Sequence, residues 1–201
     1  MAGVLVVCTG NVCRSPIAEG FLRSRLASRF GTEAPEVASA GTMGWVGSGA
    51  DPASIEAAAE RGVDISSHRA RALSDVEVRA ADLLLAMAVE HVEAIVGRTP
   101  NAAPRTFTLK ELVRLLEALP SGVGGDPETA LASRLGQAET LRRNGFEGNP
   151  HDLDVADPLG MSLESFRAIA WELDGLCARL TDGLFGRAWL EPAPGSTVSE
   201  R

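Results

Sequence analysis

A thiol and a guanidinium six positions apart, Cys8 and Arg14, enclose the segment Thr9-Gly10-Asn11-Val12-Cys13, and Ser15-Pro16 follows at once. Successive backbone N–H groups from Thr9 to Arg14 can curl inward around an anion. A helix starting just after Arg14 adds the positive end of its dipole, and the guanidinium adds a two-pronged hydrogen-bond fork. Such a cradle suits a tetrahedral dianion. A cysteine at its floor is favoured as thiolate, ionising in the range of roughly 3.5–7.5, and is nucleophilic at neutral pH. The plain alternative is an inert core cysteine at the end of a strand, and Cys-x5-Arg alone is a weak pattern in a chain this rich in arginine.

The elements around the loop favour the anion site. Val4-Leu5-Val6-Val7 is the apolar, mostly β-branched run expected of a strand covered on both faces. Ser15 reads as an N-cap with Pro16 at the first helical position, and Ile17, Ala18, Phe21, Leu22 and Leu26 continue at helical spacing. Strand, glycine-containing loop and helix therefore follow one another in the order phosphate loops require.

Cys8 to Glu19, C-T-G-N-V-C-R-S-P-I-A-E, resembles the signature loop of the low-molecular-weight protein tyrosine phosphatase family. The resemblance implies a three-layer α/β/α fold with a four-stranded parallel sheet, Rossmann-like and of the phosphotyrosine phosphatase I type. It implies Cys8 as nucleophile and Arg14 as the phosphate clamp, with Thr9, Gly10, Asn11, Val12, Cys13 and Ser15 around the substrate, Ser15 through a hydroxyl on the cysteine sulfur. Three Asp-Pro pairs occur, at Asp51, Asp126 and Asp157. The family's general acid belongs to such a pair just before the final helix, which selects Asp157. By the same resemblance Trp45 forms a wall of the cleft, and His68 hydrogen-bonds Asn11 to hold the loop's strained shape. Cys13 corresponds to a thiol that forms a reversible disulfide with the nucleophile. No metal or cofactor is implied, and the partner is a phosphoprotein.

Substrate selectivity is less determined. Leu159 stands where members often carry an aromatic, and the chain has no tyrosine. Val12 fits tyrosine-selective members, whereas protein-arginine phosphatases carry threonine there. An arsenate reductase using a small thiol on the same fold, a protein-arginine phosphatase, and a non-catalytic phosphoprotein-binding module are the competing readings.

The other elements alternate as a parallel α/β sheet demands. Glu36–Thr42, Asp82–Met87 and Arg105–Phe107 read as strands. Asp51-Pro52 opens a helix that buries Ile55, Ala58 and Ala59; Glu90–Val96 is a short helix. Thr108-x-x-Glu111 is a capping box for a helix burying Leu109, Leu112, Val113, Leu115, Leu116 and Leu119, and Ser162 caps the last helix, whose Cys177 faces the core. The 201 residues fit a single domain over 1–190, with an insertion at about 120–150 and a flexible tail over 191–201. The insertion, with Leu131, Leu135 and Leu141 on a helix after Asp126-Pro127, is read as a flap beside the cleft, an oligomer contact or a neutral excursion.

A net charge of −8 argues against nucleic acid, whose binding rests on neutralising phosphates. The absence of a signal segment or long apolar run points to a soluble cytoplasmic protein with no membrane contact, and three sparse cysteines point to reduced thiols rather than a disulfide framework or zinc site. Arginine and alanine usage suggests a GC-rich bacterial source.

Overall fold

The computed structural model describes residues 3–120, 126–146 and 152–186. Four strands, β1 (Gly3–Cys8), β2 (Glu36–Gly41), β3 (Leu83–Ala86) and β4 (Thr106–Thr108), form one sheet in the order β2-β1-β3-β4, all pairs parallel. Seven helices surround it among the described residues: α1 (Arg14–Phe30), α2 (Pro52–Ala59), α3 (Asp75–Ala80), α4 (Val89–Arg98), α5 (Leu109–Ala118), α6 (Pro127–Arg143) and α7 (Leu163–Phe185).

The apolar run of β1 is continuous because both faces are covered. Val4 and Val6 share one core with Phe21 of α1, Leu112 of α5 and Phe166 and Leu173 of α7. Leu5 and Val7 share the other with Val78 of α3 and Ile95 of α4. This is the three-layer α/β/α arrangement expected from the sequence. Each fully buried Leu or Phe contributes about 1.5–3 kcal/mol, so the two-sided burial of β1 anchors the strand that ends at Cys8.

Local signals are borne out at several helix starts. Thr108 and Glu111 form the capping box of α5, and the Asp51 carboxylate caps α2 by accepting from Ala53 N at 2.8 Å. Ser162 caps α7, whose Cys177 is fully buried. Two readings need correction. The buried face of α2 is Ser54, Ala57 and Ala58, with Ile55 half-buried and Ala59 exposed, because the short helix rests on α7 and α1 through its small residues. The N-cap of α1 is Cys13 with no side-chain cap, not Ser15; the Ser15 hydroxyl is turned instead toward the sulfur of Cys8.

The described part of the 120–150 region is a packed helix. Asp126 caps α6, and Leu131 and Leu135 are buried against the core. Arg134, also buried, donates to the carbonyls of Gly183 (2.9 Å) and Pro120 (2.9 Å), which satisfies groups at the C-terminal ends of α7 and α5. Arg142 donates to Ala103 and Thr106 carbonyls and lies 4.1 Å over the Phe107 ring. Residues 121–125 and 147–151 of the insertion region and the tail over 191–201 lie outside the described residues.

Candidate active site

The phosphate-loop candidate, Thr9 to Cys13, leaves the C-terminal end of β1 and enters α1. Asn11 has φ +59°, the only positive φ at a non-glycine position among the described residues. A left-handed residue persists only where its surroundings over-determine it, and here they do. Asn11 Nδ2 donates to Ser15 Oγ (2.9 Å) and Ser39 Oγ (2.7 Å), Oδ1 accepts from Arg71 N (2.8 Å), and the carbonyl lies 2.8 Å from His68 Nε2. His68 thus meets Asn11 at its main chain, and α1, β2 and the segment before α3 all clamp one asparagine.

Cys8 is buried at the floor of this loop. Its Sγ lies 2.9 Å from Ser15 Oγ and accepts from Asn11 N at 3.3 Å. Cys13 is buried as well, and burial followed by the nearby Asp51 carboxylate pushes its thiol up to about 12. Val12 is buried beneath the loop and its carbonyl accepts from Asp51 N.

Arg14, 4% exposed, donates from Nη1 to the Val155 carbonyl (3.1 Å) and from Nη2 to Asp157 Oδ2 (2.5 Å) and Thr9 Oγ1 (3.4 Å). Its Nε is buried without a hydrogen-bond partner. Asp157 reaches Arg14 across 143 residues because the segment before α7 is fastened at several points. Val155 N donates to the Met87 carbonyl at the end of β3, and Val89 N donates to Asp154 Oδ1, which caps α4 from outside the helix. Farther back, Asp152 pairs with Lys110 and Arg114 of α5.

The β2–α2 loop is hydrogen-bonded to the same segment. Met43 N and Gly44 N donate to the Thr9 carbonyl and Trp45 N to the Gly10 carbonyl, so the loop is laced to the cradle. A Cβ on Gly10 would stand 3.5 Å from the Trp45 indole, an ordinary contact distance, so the ring lies close over Gly10; Trp45 remains 47% exposed. Gly44 is the tightest point. With φ +42°, a Cβ there would fall 2.4 Å from the Ala72 Cα. Gly44→Ala should cost about 2–3 kcal/mol from the strained backbone and main-chain overlap, to be read as a lowered denaturant midpoint together with a raised KM as Trp45 is displaced.

One residue at the site escaped the sequence reading. His91 on α4 is 1% exposed, with Nε2 2.9 Å from Thr9 Oγ1. A lone histidine on the apolar face of a helix carries no motif, and only its position one turn past the end of β3, where loops of a parallel sheet converge on a ligand, could have marked it.

Residues 3–123 match the family model described as low molecular weight phosphotyrosine protein phosphatase. The chain belongs to that family. Among relatives of this phosphatase, a probable low molecular weight protein-tyrosine-phosphatase, EpsP, of Ralstonia solanacearum is 40% identical over 109 residues, 54% of this chain and 71% of that protein. A protein-arginine-phosphatase of Geobacillus stearothermophilus is 32% identical over 181 residues, 90% of this chain and 95% of that one. The crystal structure of a low molecular weight protein tyrosine phosphatase from T. tengcongensis superposes with a TM-score of 0.68 at 34% identity, covering 92% of this chain and all of that one. Within the phosphatase, Leu159 donates from its N to Asp157 Oδ1 at 3.1 Å and is 44% exposed. No cluster of three or more His, Cys, Asp or Glu able to hold a metal occurs among the described residues, nor a helix long and apolar enough to cross a membrane.

Proposed function

We propose that the protein hydrolyses phosphate monoesters on proteins, phosphotyrosine foremost, through a phosphocysteine formed on Cys8. The observation that carries this reading is Arg14: a buried guanidinium whose Nε has no protein partner, at the rim of a cradle floored by a thiol. Buried polar groups are almost always paired, so this donor is reserved for a ligand, and a fork donor beside inward amides suits a phosphoryl group.

The steps follow from the placed groups. Cys8 Sγ attacks phosphorus in line, the phosphorus–oxygen bond to the leaving group breaks, and Asp157 gives that oxygen its proton. The loop amides and Arg14 take the charge on the three equatorial oxygens. Water then attacks phosphorus, Asp157 accepts its proton, and the sulfur–phosphorus bond breaks to return the thiolate, which the Ser15 hydroxyl at 2.9 Å supports. Before substrate arrives, Asp157 holds Arg14 at 2.5 Å. An entering dianion competes for that guanidinium and frees the Asp157 carboxyl to face the leaving oxygen.

A second reading, phosphoarginine, is favoured by one observation. The arginine-phosphatase relative aligns over 90% of this chain, whereas the tyrosine-phosphatase relative EpsP aligns over 54%. The test compares kcat/KM for an aryl phosphate, a phosphotyrosine peptide and the matched phosphoarginine peptide, with arsenate reduction by a small thiol measured alongside. Hydrolysis of the aryl phosphate and a preference for phosphotyrosine are expected. Preference for phosphoarginine would transfer the substrate assignment, and arsenate reduction without ester hydrolysis would overturn the phosphatase reading altogether.

A further inference from the structure

The proposed chemistry leaves the buried imidazole of His91 unused. Its ring lies on α4, outside the loop that holds Cys8 and outside the segment that holds Asp157, and its Nε2 meets Thr9 Oγ1 at 2.9 Å. The same Thr9 oxygen accepts from Arg14 Nη2 at 3.4 Å. His91, Thr9 and Arg14 therefore form a chain that ends at the group gripping the phosphoryl oxygens.

The proton on the ring can be placed from its neighbours. Nε2 is also 3.3 Å from Glu90 Oε1, and a carboxylate can only accept. Nδ1 is buried with no partner. Placing the proton on Nδ1 would orphan a buried N–H, which proteins avoid, and would face the Nε2 lone pair with Glu90. Placing it on Nε2 leaves only a bare acceptor in the core. The ring is thus an Nε2–H donor. Thr9 Oγ1 then accepts from both His91 and Arg14, which occupies both its lone pairs and leaves its one hydrogen as a donor. Thr9 is half-buried at the cradle, so that hydrogen is available to whatever fills it.

We infer that His91 is a positioning residue for phosphoryl transfer: it donates to Thr9, turns the Thr9 hydroxyl into an oriented donor for a phosphoryl oxygen, and keeps it beside Arg14. The charges that reach the ring are Arg14 in the loop, Glu90 on its own helix, and Asp154 and Asp157 on the segment before α7. Burial first, and Arg14 second, push its ionisation down, which keeps the imidazole neutral at the pH of turnover. A second cation beside Arg14 would otherwise compete with it for the same anion.

A double-mutant cycle tests this, its kinetic arm resting on the phosphatase reading. His91→Phe fills the space without a donor, Thr9→Val removes the hydroxyl, and His91→Gln restores an amide N–H near the Nε2 position. For a small aryl phosphate, His91→Phe and Thr9→Val should each lower kcat about tenfold, the rate equivalent of one hydrogen bond to a charged group. The double variant should fall no further than Thr9→Val alone, and His91→Gln should recover most of the loss. Multiplying losses, or a His91→Phe variant with parental kcat, would overturn the inference, because core filling alone predicts both. Inorganic phosphate affinity, read by calorimetry on the same proteins, should show the same coupling. That arm stands even if the parent hydrolyses no ester, so a failed phosphatase reading and a failed role for His91 are distinguishable. Should His91→Phe not fold, His91→Asn, whose amide reaches only the Nδ1 position, replaces it as the donor-deleting variant.

Discussion

Replacing Cys8 by serine should reduce aryl phosphate hydrolysis by about 10⁴-fold or more while leaving inorganic phosphate bound. The sulfur contributes the attacking electron pair and nothing to the walls of the cradle. Those walls are the loop amides, the Asn11 clamp and Arg14, and the bond the sulfur accepts from them, from Asn11 N at 3.3 Å, is one that a serine hydroxyl can also accept. Serine places a hydroxyl among the same donors, Ser15 Oγ at 2.9 Å and Asn11 N at 3.3 Å, but a hydroxyl there has no adjacent base to remove its proton. Steady-state turnover and phosphate titration of the same preparation check both halves. Turnover within tenfold of the parent would remove Cys8 from the mechanism, and loss of phosphate binding would show that the substitution had collapsed the loop instead.

The second large effect belongs to Asp157, and its size depends on the substrate. Asp157→Asn should lower kcat by about 10²–10⁴ for an ester with a basic leaving oxygen, such as phosphotyrosine, since proton donation to that oxygen is worth about this much. For an aryl phosphate whose phenol is already a good leaving group, the loss should be far smaller. The amide also gives up the ion pair that occupies Arg14 at 2.5 Å in the unliganded protein, so inorganic phosphate should bind tighter as kcat falls. A plot of log kcat against leaving-group basicity, steep for the variant and shallow for the parent, is the expected signature. Parallel lines would mean that Asp157 only shapes the site.

The site was legible in the sequence wherever one short segment carries its own geometry. Cys8 to Ser15 carries a buried thiol, a left-handed asparagine and a guanidinium within one short stretch, and the Ser162 cap marks the helix behind Asp157. Contacts made across the fold were less legible. Ser15 read as a helix cap because Ser-Pro normally is one, yet its hydroxyl serves the sulfur, a competitor no local pattern reveals. Helix α3 has a capping box of Ser74 and Glu77, but its single buried side chain, Val78, gives six residues no periodicity to mark them in the sequence. In α6 Leu131 and Leu135 are buried and Leu141 half-buried, but the burial of Arg134 depends on carbonyls at the ends of two other helices. His91 is the same case at the active site: its meaning lies in Thr9, 82 positions away.

The 143-residue separation between Arg14 and Asp157 also has a meaning for the history of each molecule. During synthesis, at about 5–20 residues per second, the thiol of Cys8 leaves the ribosome well before the segment that carries Asp157. The strands that frame the loop can pair early, whereas Val155 and Asp157 dock only when the last quarter of the chain has been made. Such distant closures pay their entropy late. Phosphate binding should therefore return before turnover on refolding, and hydrolysis reports docking of the segment that carries Val155 and Asp157 onto Arg14.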